Sequence, residues 1–201
     1  MLSEKNNSYN WSFELDKIND YAYWDNFLTE EECNKIILIG KSKVLEKANT
    51  RNQNKLKTRD SNISWLAPDD NLDWLYRRLT DTLTSLNERF FGFDLYGFTE
   101  GLQFTNYKAP TGKYDSHVDR QFNTPIRKLS ITIQLSNPKD YKGGNFELMN
   151  DHKPTIFGKE QGKLYAFPSF VLHRVTPVIQ GERNSLVGWI TGKNFKWENI
   201  K

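Results

Sequence analysis

After Gly92 the apolar pattern of the chain changes its period, and that change limits the fold more than any other feature. Short runs rich in aromatic and β-branched residues follow one another: Phe93–Phe98, Leu102–Tyr107, Leu129–Leu135, Asn145–Leu148, Lys163–Phe167 and Ser185–Thr191. Gly, Pro and Asn separate them at short intervals, the pattern of an all-β sandwich or jelly roll. Upstream the spacing is helical. Thr29 can cap a first helix, with Glu32 closing a capping box, Cys33, Ile36, Ile37 and Ile39 as its apolar stripe, and Gly40 as its stop. Pro68-Asp69-Asp70 opens a second helix, in which Leu72, Leu75, Tyr76, Leu79, Leu83 and Leu86 recur at spacings of three and four before an end near Phe91-Gly92.

The expectation is therefore an α+β chain, mainly β, with a jelly-roll core over 93–191 and supporting helices over 27–92. The segment 1–26 is read as an arm or early strand, and all 201 residues as one domain. Residues 47–62 are polar, basic and almost free of large apolar groups, so a mobile surface loop is expected there, with a short strand at Ile63–Leu66 after it.

Composition narrows the function classes. A net charge of +3 lacks the concentrated basic footprint of a dedicated nucleic-acid binder, so nucleic acid is not an expected partner. A single cysteine, Cys33, excludes an internal disulfide and a cysteine metal cluster. The first twenty residues carry Glu4, Lys5, Glu14, Asp16 and Lys17 without an apolar core of a secretion signal, and no run reaches membrane-span length. A cytoplasmic protein without a membrane partner is expected.

Within the β-rich half stands His117-Val118-Asp119. On a strand, residues i and i+2 share a face, so His117 and Asp119 are expected to project together while Val118 packs behind them. His-x-Asp alone is common, and most copies are hydrogen-bonded surface pairs. Here, however, the chain has three histidines, and His173 is placed to be a third ligand while His152 sits in a polar loop sequence. Two imidazoles and one carboxylate on one side of an ion, with the other positions open, are the ligand set of non-haem Fe(II) oxygenases.

Two further features bear on a ligand. In Leu129–Leu135 the alternation puts Leu129, Ile131, Ile133 and Leu135 on one face and Ser130, Thr132 and Gln134 on the other, a polar face that is either wet or lines a chamber. Arg183 follows a turn at Gly181 and opens an apolar strand. If the strand is central, its guanidinium must be paired, by an Asp or Glu of the chain or by a small-molecule carboxylate.

Tyr107, His117-x-Asp119, Gly143-Gly144, Phe167-Pro168-Ser169, His173, Pro177-Val178, Gly181-x-Arg183 and Trp189 together resemble the prolyl 4-hydroxylase branch of the 2-oxoglutarate and iron(II)-dependent dioxygenases. Arg59-x-Ser61 with Trp65-Leu66 is similar to that branch's substrate-loop motif, and the likeness spans about residues 27 to 191. The resemblance implies a double-stranded β-helix with helices on one side, and Fe(II) held by His117, Asp119 and His173. It implies 2-oxoglutarate chelating the metal, with Arg183 on its distal carboxylate, Tyr107 hydrogen-bonded to it, and Thr132 and Gln134 beside it. O2 and ascorbate complete the implied cofactors.

Arg59 and Ser61 are implied to lie on a loop that closes over a peptide, with Arg127 and Trp189 near the substrate. The implied reaction converts 2-oxoglutarate to succinate and CO2 and hydroxylates a peptidyl proline, so the implied partner is a proline-containing peptide or protein. A free amino acid or other small molecule as substrate, and a binding module that keeps the metal site without turnover, remain open alternatives. The chain departs from the branch in carrying arginine at 183 where collagen-type enzymes have lysine, Gln134 where many relatives place a tyrosine, and Phe146 where threonine is frequent.

Overall fold

The computed structural model describes residues 18–43, 45–48, 58–69, 71–120 and 126–193. In chain order the elements are β1 (Ala22–Trp24), α1 (Glu30–Ser42), β2 (Glu46–Lys47), β3 (Arg59–Asp60), β4 (Asn62–Leu66) and α2 (Asp73–Leu86). Then come β5 (Leu95–Phe98), β6 (Leu102–Lys108), β7 (Lys113–His117), β8 (Ile126–Gln134), β9 (Tyr141–Gly143) and β10 (Phe146–Leu148). β11 (Thr155–Ile156), β12 (Leu164–Pro168), β13 (His173–Val175) and β14 (Val178–Gly192) complete the series.

The strands form two sheets. The larger runs β1-β12-β8-β14-β6-β4-β2, with β5 and β9 also pairing to β14, and the smaller runs β11-β10-β13-β7-β3. This is the mainly β, two-sheet jelly-roll arrangement the sequence leads one to expect, with both helices against the large sheet. Leu129, Ile131, Ile133 and Leu135 point into a core shared with Cys33 and Ile36 of α1 and with Leu75, Leu79, Leu83 and Leu86 of α2. Each such buried aliphatic side chain stabilises the fold by roughly 1.5–3 kcal/mol. A second apolar cluster, with Tyr107, Tyr141, Phe146, Phe167, Val175 and Val178, lies between the two sheets.

The start of α1 follows the expected chemistry, whereas α2 begins at Asp73, past the expected Pro68-Asp69-Asp70 opening, of which Asp70 lies outside the described residues. Thr29 accepts from the Glu32 N–H at 3.2 Å and the Glu32 carboxylate accepts from the Thr29 N–H at 3.0 Å, a complete capping box. Arg78 of α2 then takes the same carboxylate bidentately, at 2.8 Å on each oxygen, and ties the helices together. Downstream α2 passes into a π-helical turn, Asn87–Phe91, closed by Gly92 at φ 66°.

Several expectations need correction. Gly40 does not end α1: the helix continues to Ser42, and Gly40 is buried where a Cβ would stand 2.3 Å from the Phe104 ring. Its role is close helix-to-sheet approach. The strands expected before Gly92 are present, β1 pairing with β12 and β4 with β6, but β3, which pairs with β7, was not expected. Of the expected mobile loop, residues 49–57 lie outside the described residues. Glu46–Lys47, Arg59–Asp60 and the start of β4 are instead paired strand, with Ala48 and Ser61 buried. Paired backbone, rather than apolar side chains, holds this polar stretch.

Gly40→Ala tests the packing argument, because helix propensity alone favours alanine by about 1 kcal/mol. The crowding at Phe104 predicts the opposite sign, a loss of about 1–3 kcal/mol in urea unfolding. An unchanged or higher midpoint would show that the ring yields.

Candidate metal centre and cosubstrate cavity

Between the sheets lies a cavity of about 670 Å³. The large sheet lines it through Gln103, Tyr107, Thr132, Arg183, Ser185, Val187 and Trp189, and the small sheet through Tyr114, His117, Phe146, His173 and Val175. The period of two along β14 puts Arg183, Ser185, Val187 and Trp189 on one face, so a single strand spans much of the wall.

Strand pairing brings the histidines together. His117, the last residue of β7, stands opposite His173, the first of β13, and their ring centroids are 4.2 Å apart. Asp119 lies two residues past the end of β7 and is held by a backbone clamp: the N–H groups of Asp119 and Arg120 both donate to the Ser169 carbonyl at 2.9 Å. Ser169 is itself fixed by its own N–H on the Lys128 carbonyl and by a 2.8 Å hydroxyl contact to Ser130. Val118, expected to pack inward, is instead 48% exposed, because the strand has ended and the chain is turning.

Asp119 Oδ1 lies 3.6 Å from His117 Nε2, and Oδ2 lies 3.5 Å from His173 Nε2. One ligand atom from each of the three residues falls within 4.8 Å of the others. Donors about 2.1 Å from a common ion stand about 3–3.5 Å apart, so these atoms can meet one ion with little adjustment. Each Nδ1 faces a backbone carbonyl, Asp115 for His117 at 2.8 Å and Val171 for His173 at 2.9 Å. A carbonyl can only accept, so Nδ1 carries the proton and Nε2 presents a bare lone pair to the centre.

The electrostatics agree. Burial, with the nearby His173, pushes the His117 pKa down to about 4, which keeps the imidazole neutral and able to ligate. Burial pushes the Asp119 carboxyl upward, but the neighbouring His173 and His117 and the polar hydrogens of Trp189 and Ser130 outweigh it and hold the group below the usual carboxylate range. Tyr114 stacks on His117 at 3.5 Å, and Phe167 and Phe146 flank His173 at 4.7 and 5.8 Å, so both rings are fixed in place. His152 is exposed in its loop, away from the centre.

Arg183 is 1% exposed, and among the described residues no carboxylate pairs with it. Its guanidinium donates to Gln134 Oε1 at 2.9 Å and to Ser185 Oγ at 3.3 Å, and lies 5.4 Å from the Tyr107 ring centroid. Among the described residues its Nε meets no hydrogen-bond acceptor within bonding geometry. A buried, unneutralised cation facing a cavity is the binding partner for an anion. Gly144, at φ 60°, makes room for it: a Cβ there would stand 3.1 Å from Arg183 Cδ.

The other expected residues divide. Tyr107 and Thr132 line the cavity, whereas Gln134 reaches it only through Arg183. Arg59, Arg127 and Trp189 line it too. Arg59 does so from strand β3, not from a loop, held by Ser61 Oγ at 2.8 Å, Gln103 Oε1 at 2.9 Å and the Tyr114 ring at 4.4 Å. Ser61 is buried behind Arg59 and fixes its direction. Arg127 sits 3.7 Å over the Trp189 ring and is bidentate to Glu100 at 2.8 and 2.6 Å. Sequence reasoning missed Glu100, Gln103 and Tyr114. Strand alternation would put Tyr114 on the face opposite His117, and only the register shift between β7 and β13 brings it beside that ring.

Loss of one ligand has a direct readout. Titration of Fe(II), or of Co(II) as an air-stable substitute, into the protein should release heat with one-to-one stoichiometry and raise the melting midpoint. Asp119→Ala should lower the affinity at least about 100-fold, in line with removing a charged ligand. Equal affinity in the variant would remove Asp119 from the ligand set.

Comparison with known proteins agrees with this geometry. Residues 102–191, which carry all three converging side chains and Arg183, match the 2OG-Fe(II) oxygenase superfamily. A PKHD-type hydroxylase of Prochlorococcus marinus strain NATL2A is 35% identical over 99 residues, covering 49% of this chain and 44% of that one. One from Hyphomonas neptunium is 45% identical over 62 residues, covering 31% and 28%. The chain thus spans less than half the length of these relatives. Among solved structures, a Pseudomonas putida prolyl-4-hydroxylase superposes with a TM-score of 0.70 at 22% identity, covering 87% of this chain and 94% of that one. A Trichoplax adhaerens prolyl hydroxylase, in complex with a hypoxia inducible factor peptide fragment, gives 0.72 at 20% identity, covering 87% and 84%. Members of this superfamily use Fe(II), 2-oxoglutarate and O2, and the His117, Asp119 and His173 set fits the iron. The chain is thus similar over residues 102–191 to the 2OG-Fe(II) oxygenase superfamily, and its fold is that of the solved prolyl 4-hydroxylases.

Proposed function

We propose that this protein is an Fe(II)- and 2-oxoglutarate-dependent dioxygenase that hydroxylates a prolyl residue in a peptide or protein. The observation that carries the reading is one cavity holding both a two-histidine, one-carboxylate cluster and a buried arginine with no carboxylate partner among the described residues. The first suits a metal, and the second suits the far end of a small dicarboxylate.

In this reading His117, Asp119 and His173 hold Fe(II), and Arg183 receives the distal carboxylate of 2-oxoglutarate. When bound, iron and cosubstrate supply the oxidation, by which a C–H bond and O2 become C–OH with 2-oxoglutarate converted to succinate and CO2. The chain's part is placement. Tyr107 and Thr132 border the cosubstrate, and Gln134 holds the guanidinium in position through its 2.9 Å contact. The Tyr114, Phe146 and Phe167 rings around the histidines keep water from the reacting side. Arg59, braced by Ser61, and Arg127, braced by Glu100 and Trp189, offer N–H donors to the carbonyls of an extended peptide.

A peptide substrate is favoured by the aromatic and guanidinium wall that Trp65, Trp189, Arg59 and Arg127 add to the cavity. The Trichoplax adhaerens prolyl hydroxylase that shares the fold is seen with a peptide fragment.

Succinate release in the presence of Fe(II), 2-oxoglutarate and ascorbate should rise with proline-containing peptides, which should gain one oxygen by mass spectrometry. Stimulation by free amino acids alone would move the substrate to the small-molecule class. Arg183→Ala should raise the 2-oxoglutarate requirement about 100-fold or more, as expected for losing a bidentate charged contact. An unchanged requirement would assign Arg183 a purely structural role.

A further inference from the structure

Two guanidinium groups of the cavity wall, Arg59 and Arg127, differ in a way that bears on the substrate. Arg127 has a carboxylate partner, because Glu100 takes it bidentately at 2.8 and 2.6 Å. Arg59 has none among the described residues. Its Nε donates to Ser61 Oγ at 2.8 Å and one terminal nitrogen donates to Gln103 Oε1 at 2.9 Å, both neutral acceptors. These contacts use two of its five N–H groups and leave its charge uncompensated. Asp60, the next residue along β3, turns to the opposite side and pairs with Lys47 and Thr111.

The place of that charge is set by strand pairing. Arg59 stands directly opposite Tyr114 in the β3 and β7 pair. With the Tyr114 ring 4.4 Å from the guanidinium and 3.5 Å from the His117 ring, the charge lies no more than about 8 Å from that histidine. An extended chain covers this distance in about two residues, at roughly 3.3–3.6 Å each. The surrounding charge has the same sign. Four arginines, Arg59, Arg120, Arg127 and Arg183, line the cavity against two carboxylates, Glu100 and Asp119. Fe(II) and 2-oxoglutarate carry equal and opposite charges, so together they leave that excess in place. Residues 47–59 of the sequence hold five basic side chains and no acidic one. A field of this sign favours an anionic partner and disfavours a basic one.

We infer that the substrate is an acidic peptide segment, with an aspartate or glutamate within about two residues of the hydroxylated proline and its carboxylate received by Arg59. This rests on the reading of the protein as a prolyl hydroxylase. Ser61 and Gln103 orient the Arg59 guanidinium without discharging it. Glu100 does discharge Arg127, which is left to the neutral carbonyls of the peptide backbone. One charged and one discharged arginine make the wall selective for side-chain charge at a single position.

A pool of peptides with one central proline and randomised flanks tests this. After reaction with Fe(II), 2-oxoglutarate, ascorbate and O2, the peptides that gain one oxygen should carry Asp or Glu about tenfold more often than Asn or Gln at one position within two residues of the proline, as expected for a charge-assisted contact. The enriched peptide and its amide counterpart are then titrated into protein loaded with Co(II) and 2-oxoglutarate. The acidic peptide should bind about tenfold more tightly, and Arg59→Gln should bring both to the weaker value, since the two changes remove one interaction. Proline peptides hydroxylated without an acidic preference overturn the inference and leave the prolyl hydroxylase reading standing, as does a preference of unchanged size in Arg59→Gln. If that variant fails to fold, Arg59→Lys takes its place; it keeps the charge and should keep the preference, and losing it overturns the inference. A wild type that hydroxylates no proline peptide in the pool overturns both.

Discussion

The arrangement depends on a buried positive charge that no carboxylate among the described residues neutralises. Placing Arg183 inside the sheet sandwich costs several kcal/mol if it stays unpaired, and the fold accepts that cost in a cavity that also holds three converging side chains able to hold a metal. Residues around the guanidinium orient it without discharging it: Gln134 and Ser185 accept its hydrogens, and Gly144 yields space to its stem. A protein built only for stability would place an apolar residue there.

The metal end has a different logic. Two short strands, β7 and β13, meet at His117 and His173, and the carboxylate arrives from just beyond a strand end, clamped by two backbone bonds to Ser169. Because Ser169 is itself bonded to β8 through Lys128 and Ser130, the ligand turn is referenced to the large sheet while the histidines belong to the small one. The geometry of the centre therefore reports the distance between the sheets. Side chains in the apolar cluster between them, Phe146 and Phe167 above all, set that distance.

Much of this was legible from residue order, and the reasons it was or was not are specific. The leucine repeat of α2, the capping box of α1 and the alternation along β8 all report burial on one face, which sequence encodes directly. β7 and β13 fall outside the apolar runs because Lys113, Asp115, Ser116 and Arg174 leave them without apolar periodicity, and only His117-x-Asp119 pointed to a strand there. Val118 misled because strand alternation was extended one residue past the strand's end. Gly40 misled because close packing on Phe104 and helix termination favour the same residue type. The Glu100 brace on Arg127 needed three dimensions, since nothing in its local sequence separates it from an ordinary surface acid.

The central claim is that one ion and one 2-oxo acid occupy this cavity together, and optical absorption under anaerobic conditions tests it most directly. Adding 2-oxoglutarate to the Fe(II)-loaded protein should produce a weak visible charge-transfer band that saturates at one equivalent, and His173→Ala should lack it. A wild-type protein that takes up iron and shows no band with 2-oxoglutarate would contradict the account.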